Sequence, residues 1–448
     1  METDLSNMEL LILFLFCTAL LACVGLHLPI LYVLTAGLLL FCFYALKRGF
    51  SLGEILLMCW SGIKTARNVL ITFLLIGILT ALWRAAGTIP VIICYAGVLI
   101  TPSLFLVMSF LLNCAVSMVT GTAFGTAATM GVICASMASA MEISPALVGG
   151  AVLSGVYFGD RCSPVSTSAL LVSELTHTNI FENIHRMIKT AAVPLFVTCG
   201  LYAGIGFFTH HGSADLDLKT LFGQEFQLHW IALLPALLIL VLSFYRLNVK
   251  RTMLASILCA IPVCMILKKT ALTQLAAIAV FGFQADNAEV AELLNGGGVI
   301  SMLNVAAIVC LSSAYSGIFR KTGLLQRLQR VIVRLSERMT PLGAMLITST
   351  FAAMIACNQT LTIMLTHQLC LETEPDDGSM AIDLENTAVV VAPLIPWSIA
   401  SGVPLASVGA PAISIGFAFF LLLLPIWRLI LALMVRKRGE HCESSGSI

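Results

Sequence analysis

Apolar runs of bilayer-spanning length recur along the whole chain and leave few other folds open to it. Residues 10–26, 30–46, 68–83, 190–208, 228–245, 253–267, 298–319 and 411–435 are each near the length that crosses a hydrocarbon core. Of the 448 residues, 59% are hydrophobic and only 10% are charged, with a mean hydropathy of +1.00. Soluble chains carry about 25% charged residues. The chain therefore reads as an all-α polytopic membrane protein with roughly 10–12 membrane segments. A net charge of +1 supplies no field that would recruit nucleic acid. The expected partners are the lipid bilayer and a small ion or solute, and a homodimer stays open as the assembly. The 15 cysteines lie scattered through apolar runs without metal-ligand spacing and read as polarizable core residues. No soluble domain, Ser/His/Asp arrangement or metal cluster is legible, so neither an enzyme nor a cofactor is expected. The acidic start, with Glu2, Asp4 and Glu9, does not resemble a secretory leader.

Polar breaks interrupt the apolar pattern in four places. Residues 103–176 contain TGTAFGT at 120–126 and YFGDRCSPVSTSA at 157–169; residues 342–410 contain CNQTLT at 357–362 and a Pro-, Gly- and polar-rich stretch at 382–410. Irregular backbone at membrane depth survives only where protein or a cavity surrounds it. Its freed carbonyls can hold a cation, and the N–H groups at half-helix starts can hold an anion. The candidate ion- or substrate-binding residues are therefore Thr120, Thr122, Thr126, Asp160, Ser163, Ser166, Thr167, Ser168, Asn358, Gln359, Thr360, Thr362, Glu385, Asn386 and Ser398. Asp160 is the sharpest of them, because an acid inside a membrane segment is expensive and marks function; it is also the candidate Na+ ligand. Plainer readings stand beside these. Gly121 and Gly125 have small-xxx-small spacing for helix packing. The threonines can bond back to their own helix. Asp160 can simply neutralise Arg161. Trp83, Trp230 and Trp427 lie near span ends and read as interface anchors.

The breaks repeat. An offset of 236 residues carries ALWRAAGTI at 81–89 onto GIFRKTGLL at 317–325, Asn68 onto Asn304, Thr122 onto Asn358 and Thr126 onto Thr362. Pro164 then pairs with Pro393 at a slightly different offset, 229. This gives a first repeat at 1–209, a linker at 210–227, a second repeat at 228–438 and a polar tail at 439–448. Basic residues favour the cytoplasmic side. Lys47, Arg48, Lys64 and Arg67 then place the polar helix at 51–67 inside, whereas its counterpart at 286–295 is acidic and fits outside. The loop after the second R-x-x-G carries Arg327, Arg330, Arg334 and Arg338 and fits inside; Arg436, Lys437 and Arg438 fit inside too, and Lys268 with Lys269 is the exception. Matched features on opposite sides mean two inverted-topology repeats with broken helices and re-entrant hairpins. The N-terminus is then cytoplasmic.

GDRCSPVS at 159–166, VTGTAFGT at 119–126, ACN at 356–358 and PLIPW at 393–397 resemble the NhaC-type sodium/proton antiporter family. The resemblance covers most of the chain from Asn68 onward. It implies an inverted-repeat carrier of the bacterial inner membrane, a secondary transporter exchanging Na+ for H+ by alternating access, with Asp160 as the coupling carboxylate. The family patterns are G-D-K-x-S-P-x-S-D-T and, later, Glu-Asp followed by Leu-Ile-Pro-Trp-Asn. This chain has Thr167, Asn386 and Ser398 at three of those positions. A hard cation wants negative oxygens among its ligands, so an H+- or Na+-coupled carrier of a small organic acid or amino acid is the alternative.

Overall fold

Four glycines let one helix sink into the centre of the molecule. In the computed structural model the described residues run from Leu11 to Ser445, apart from scattered single and paired positions and chiefly 97–100, 210–221, 323–339 and 372–375. In chain order the helices that matter here are α1 (Ile30–Lys47), α2 (Leu52–Thr65), α3 (Arg67–Ala85), α4 (Phe105–Thr120), α5 (Ala123–Ala140), α6 (Pro145–Cys162), α7 (Thr167–Leu175) and α8 (Ile180–Thr209). They are followed by α9 (Val249–Leu267), α10 (Leu303–Thr322), α11 (Pro341–Ala356), α12 (Gln359–Cys370), α13 (Asp377–Asn386), α14 (Ile399–Ser407) and α15 (Phe419–Ser445). Every residue of α6 from Val148 to Cys162 is buried. The reason is steric. A Cβ on Gly155 would stand 2.6 Å from Phe110 O of α4, and one on Gly159 would overlap Ser117. On the facing side Gly149 and Gly150 meet Ser414 and Phe417 with the same closeness. Small residues permit this backbone approach between membrane helices.

Four described helices are long and apolar enough to cross a bilayer, and two bent pairs qualify if each pair is one span. Six shorter apolar helices of 10–17 residues accompany them. The chain is thus a polytopic membrane protein built partly of broken and short segments, which are too short to cross alone.

The two break regions share a backbone. Gly121, after α4, is left-handed (φ 64°, ψ 28°), and Thr122 is extended (φ −148°, ψ 123°) and caps α5. Cys357, after α11, is left-handed (φ 52°, ψ 19°), and Asn358 is extended (φ −151°, ψ 131°) and caps α12. These pairs lie 236 residues apart. Cys357 holds a conformation that costs a Cβ-bearing residue about 1–2 kcal/mol. The second pair of breaks matches at an offset of 232: Ser166 caps α7 through Ser168 N–H, and Ser398 caps α14 through Ala400 N–H. That register sets Pro164 against Pro396, not Pro393 as the sequence suggested.

Contacts between segments related by the 236-residue offset come in reciprocal pairs. A Cβ on Gly62 of α2 would overlap the carbonyl of Ser313 in α10; one on Gly77 of α3 would stand 2.6 Å from Gly298 O. Adding 236 to Gly62 gives Gly298, and to Gly77 gives Ser313. The kinks after Ala66 (φ −83°, ψ −2°) and Met302 (φ −92°, ψ −7°) obey the same offset.

Some sequence expectations change. Trp83 is fully buried and donates to Ser256 Oγ at 3.0 Å, so it is a core residue rather than an interface anchor, whereas Trp230 is 63% exposed. Gly121 serves a left-handed turn; close packing falls instead to the glycines of α6 and to Gly62 and Gly77. Lys268, the exception to the charge rule, is 3.1 Å from Glu225 and lies over the rings of Phe226 and Phe283 at 4.8 and 4.7 Å. A cation neutralised in this way carries little weight in orienting a chain. Arg327, Arg330, Arg334, Arg338, most of the 210–227 linker and the side chains of Arg436, Lys437 and Arg438 lie outside the described residues.

Candidate ion-binding site

Asp160 sits in the last turn of α6, where the chain must leave the helix and restart as α7. The restart is held by Ser166, whose hydroxyl accepts the backbone N–H of Ser168 at 3.2 Å and donates to Asp160 Oδ1 at 3.0 Å. Ser168 Oγ donates to Oδ2 at 2.8 Å. From the second half, Gln359 Nε2 reaches Oδ2 at 3.5 Å while donating to Val389 O at 3.2 Å. The backbone N–H of Ala123, first residue of α5, lies beside the same carboxylate. Three helix starts (α5, α7 and α12) thus supply the groups around one carboxylate that is 4% exposed. Helix N-termini favour a negative charge beside them, and hydrogen bonds to a charged acceptor are worth about 1.5–3 kcal/mol each.

Arg161 does not neutralise Asp160. Its guanidinium turns away and donates to Glu385 O at 3.1 Å, Met187 O at 3.3 Å, Thr190 Oγ1 at 3.0 Å and Asn386 Oδ1 at 2.7 Å. It is completely buried, and it ties α6 to α8 and α13. Glu385 is buried with neither carboxylate oxygen hydrogen-bonded, and it lies within electrostatic range of both Arg161 and Asp160. Two residues before it, Asp383 pairs with Arg428 of α15 at 3.1 Å. Two acids therefore have cationic neighbours, while Asp160 is held by two hydroxyls and an amide.

The other predicted residues are distributed around this centre. Thr120 and Thr126 hydroxyls are 2.9 Å apart, Thr126 also bonds back to Thr122 O, and Thr122 caps α5. Thr362 bonds back to Asn358 O, as Thr126 does to Thr122, and Asn358 caps α12. Ser163 donates to Met118 O at 2.8 Å and not to the carboxylate. Ser398 is buried as the cap of α14. Thr167 and Thr360 are exposed and are not partners of Asp160. Position 167, where the family pattern carries an acid, is thus outside the inner ring. Sequence reasoning missed the Asp383–Arg428 pair, although an arginine inside the last apolar run was an available signal. It also missed Tyr157, whose hydroxyl donates to Ala400 O at 2.6 Å and ties α6 to α14. Among the described residues no group of three His, Cys, Asp or Glu could hold a metal.

The model of the Na+/H+ antiporter family matches residues 155–435, well over half of the chain. The chain belongs to the Na+/H+ antiporter family. The match begins on α6 just before Asp160 and runs into α15, so it includes both sides of the crossing. Curated relatives extend the likeness. The Na+/H+ antiporter NhaC of Bacillus subtilis is 28% identical over 82% of this chain and 83% of its own length. The malate-2H+/Na+-lactate antiporter of the same organism is 26% identical over 84% and 82%. The arginine/ornithine antiporter ArcD of Halobacterium salinarum is 26% identical over 76% and 73%. This is a family of transporters rather than enzymes, and family membership implies coupling ions.

Proposed function

We propose that this chain exchanges Na+ for H+ across a bacterial plasma membrane, with Asp160 as the group that carries one or the other. The observation that carries the reading is the Asp160 carboxylate: buried at the meeting point of broken helices from both halves, and free of its neighbour Arg161. In the proton-loaded form Asp160 is a neutral acid. When the proton leaves to one side, the carboxylate and the oxygens of Ser166, Ser168 and Gln359 offer a hard, partly anionic set to a monovalent cation. Binding either ligand cancels the buried charge, and the unliganded carboxylate is the costly state to move. That penalty couples the two ions. Two inverted repeats, 1–209 and 228–438 with a linker between, would rock about the shared crossing to give alternating access; the basic loops read from the sequence favour a cytoplasmic N-terminus. Glu385 is the second candidate proton carrier, since its carboxylate oxygens have no partner.

The test is reconstitution in vesicles with an imposed pH gradient. Addition of Na+ should collapse the gradient with wild-type protein and leave it intact with Asp160→Asn. A wild type that does not respond to Na+ sinks the sodium reading. A second reading, exchange of small carboxylates coupled to the same acid, is supported by the relative named for malate and lactate. Thr167, Asn386 and Ser398, standing where the family pattern has other side chains, support it as well.

A further inference from the structure

A cavity of about 400 Å³ opens at the far end of α6 from Asp160. Gly149, on its wall, precedes Asp160 by eleven residues, about 17 Å along a helix. The same cavity is lined by the last part of α5 and by Ser407 at the end of α14. Each of these three helices has its other end at the crossing of broken segments. The rim is polar and exposed at Ser139 and Asn295, and the floor is buried at Thr80 and Met302. No acid lines it among the described residues.

Into this cavity comes Arg84, from the last turn of α3. Its side chain is half-buried and lines the cavity, and among the described residues it makes no hydrogen bond and no ion pair. Gly297 makes room for it: a Cβ there would stand 3.0 Å from Nη1. A guanidinium carries five N–H donors in a planar fork that matches a carboxylate. Facing the cavity, with no acid beside it among the described residues, the fork is open to an anion that enters. A site built to gather Na+ would not present a lone cation.

We propose that this cavity is an anion vestibule, in which a small mono- or dicarboxylate docks on Arg84 before it reaches the crossing. One guanidinium, with no second basic side chain in the lining among the described residues, suits a singly charged carboxylate better than a phosphate dianion. The volume lies within the range of small-molecule sites. The proposal takes its purpose from the carboxylate-exchange reading, so binding at Arg84 and transport through Asp160 are measured separately.

The full-length protein, in nanodiscs of neutral lipid, is treated with the arginine reagent phenylglyoxal, and Arg84 modification is followed by mass spectrometry. L-Lactate or L-malate should slow modification at least tenfold at saturation; lactamide, which lacks the charge, should not. The same acids should raise the thermal unfolding midpoint of wild type and of Asp160→Asn. They should not raise it for Arg84→Gln, and Arg84→Lys should retain a weaker response. Equal protection by chloride or inorganic phosphate, or by lactamide, overturns the carboxylate assignment. Loss of the response in nanodiscs rich in anionic lipid assigns the arginine to a headgroup and overturns it as well. So does an unchanged midpoint shift in Arg84→Gln. Persistence of protection in Asp160→Asn while transport is lost separates this site from the antiport reading.

Discussion

Replacing Arg161 by methionine should unfold the centre of the molecule, and Glu385 decides by how much. The guanidinium is fully buried and donates to three groups at 3.1 Å or closer: Glu385 O, Thr190 Oγ1 and Asn386 Oδ1. Hydrogen bonds from a charged donor are worth about 1.5–3 kcal/mol each, but deletions within one network do not add. The larger effect is on charge. Glu385 is 1% exposed, with both carboxylate oxygens unpartnered, and Arg161 is the cation in its surroundings. The two side chains make no direct ion pair, so the cost of breaking a buried charge pair, about 3–5 kcal/mol, is the upper bound, reached only when Glu385 is ionised. Arg161→Met should therefore raise the unfolding constant by at least about tenfold and at most several-thousandfold, at tenfold per 1.4 kcal/mol. Glu385→Gln in the same chain should restore about 1–3 kcal/mol of the loss, since the charge to be compensated is then gone. The assay is equilibrium unfolding in mixed micelles for wild type, both single variants and the double variant. A loss below about 1 kcal/mol in Arg161→Met, or strictly additive effects in the double variant, refutes the claim that Arg161 is committed to Glu385 and leaves Asp160 free.

Ser168→Ala, which removes a 2.8 Å donor from Asp160, should weaken cation-driven exchange by about tenfold or more, whereas Thr167→Ala, at an exposed position, should leave it within twofold in the vesicle assay. Gly62→Val and Gly77→Val drive a side chain into the backbone at Ser313 and at Gly298 respectively and should each cost more than about 1–3 kcal/mol of stability, measured as a lower unfolding midpoint. Asp376 caps α13 by accepting from Ser379, which holds its carboxyl below the usual 3.8. Because the folded value is the depressed one, the cap's contribution is present above the unfolded value and fades as pH falls through the folded value. Protection of the Ser379 amide relative to Asp376→Ala should therefore vanish on acidification below 3.8, and a difference that persists at the lowest pH counts against the cap.

The long-range plan was legible because it rests on length and polarity, which a bilayer filters strictly. Runs of about twenty apolar residues have few alternatives, and a polar break within one needs a neighbour. For the same reason the breaks at Thr122 and Asn358 could be matched from sequence alone: each must put a polar cap where a helix restarts. Direction was not legible. Nothing in the order Asp160, Arg161 says that one side chain turns to α7 and the other to α8 and α13, since neighbours on a helix point about 100° apart and their partners come from sequences more than twenty residues away. Thr167 and Ser168 were equal candidates on paper; one is exposed and the other holds the carboxylate, a difference set by the phase of α7. Trp83 failed as an interface anchor because its partner Ser256 lies 173 residues further along the chain, beyond any local pattern. Arg84 drew attention as a repeat marker, and its lack of a partner could be seen only once the walls around it were in place.

The paired glycine joints carry a further implication. Gly62 meets Ser313 while Gly298 meets Gly77, so each surface presents what its opposite requires. That is the contact arithmetic of an isologous dimer, in which residue i touches j and j touches i. A half-length chain holding both surfaces would therefore be self-complementary, and two copies would close on one another through the same pair of joints. Joining the two copies by a linker changes the concentration dependence of assembly without changing the joint. It also frees each half to diverge, so that one can keep Asp160 and the other can supply Gln359 to hold it.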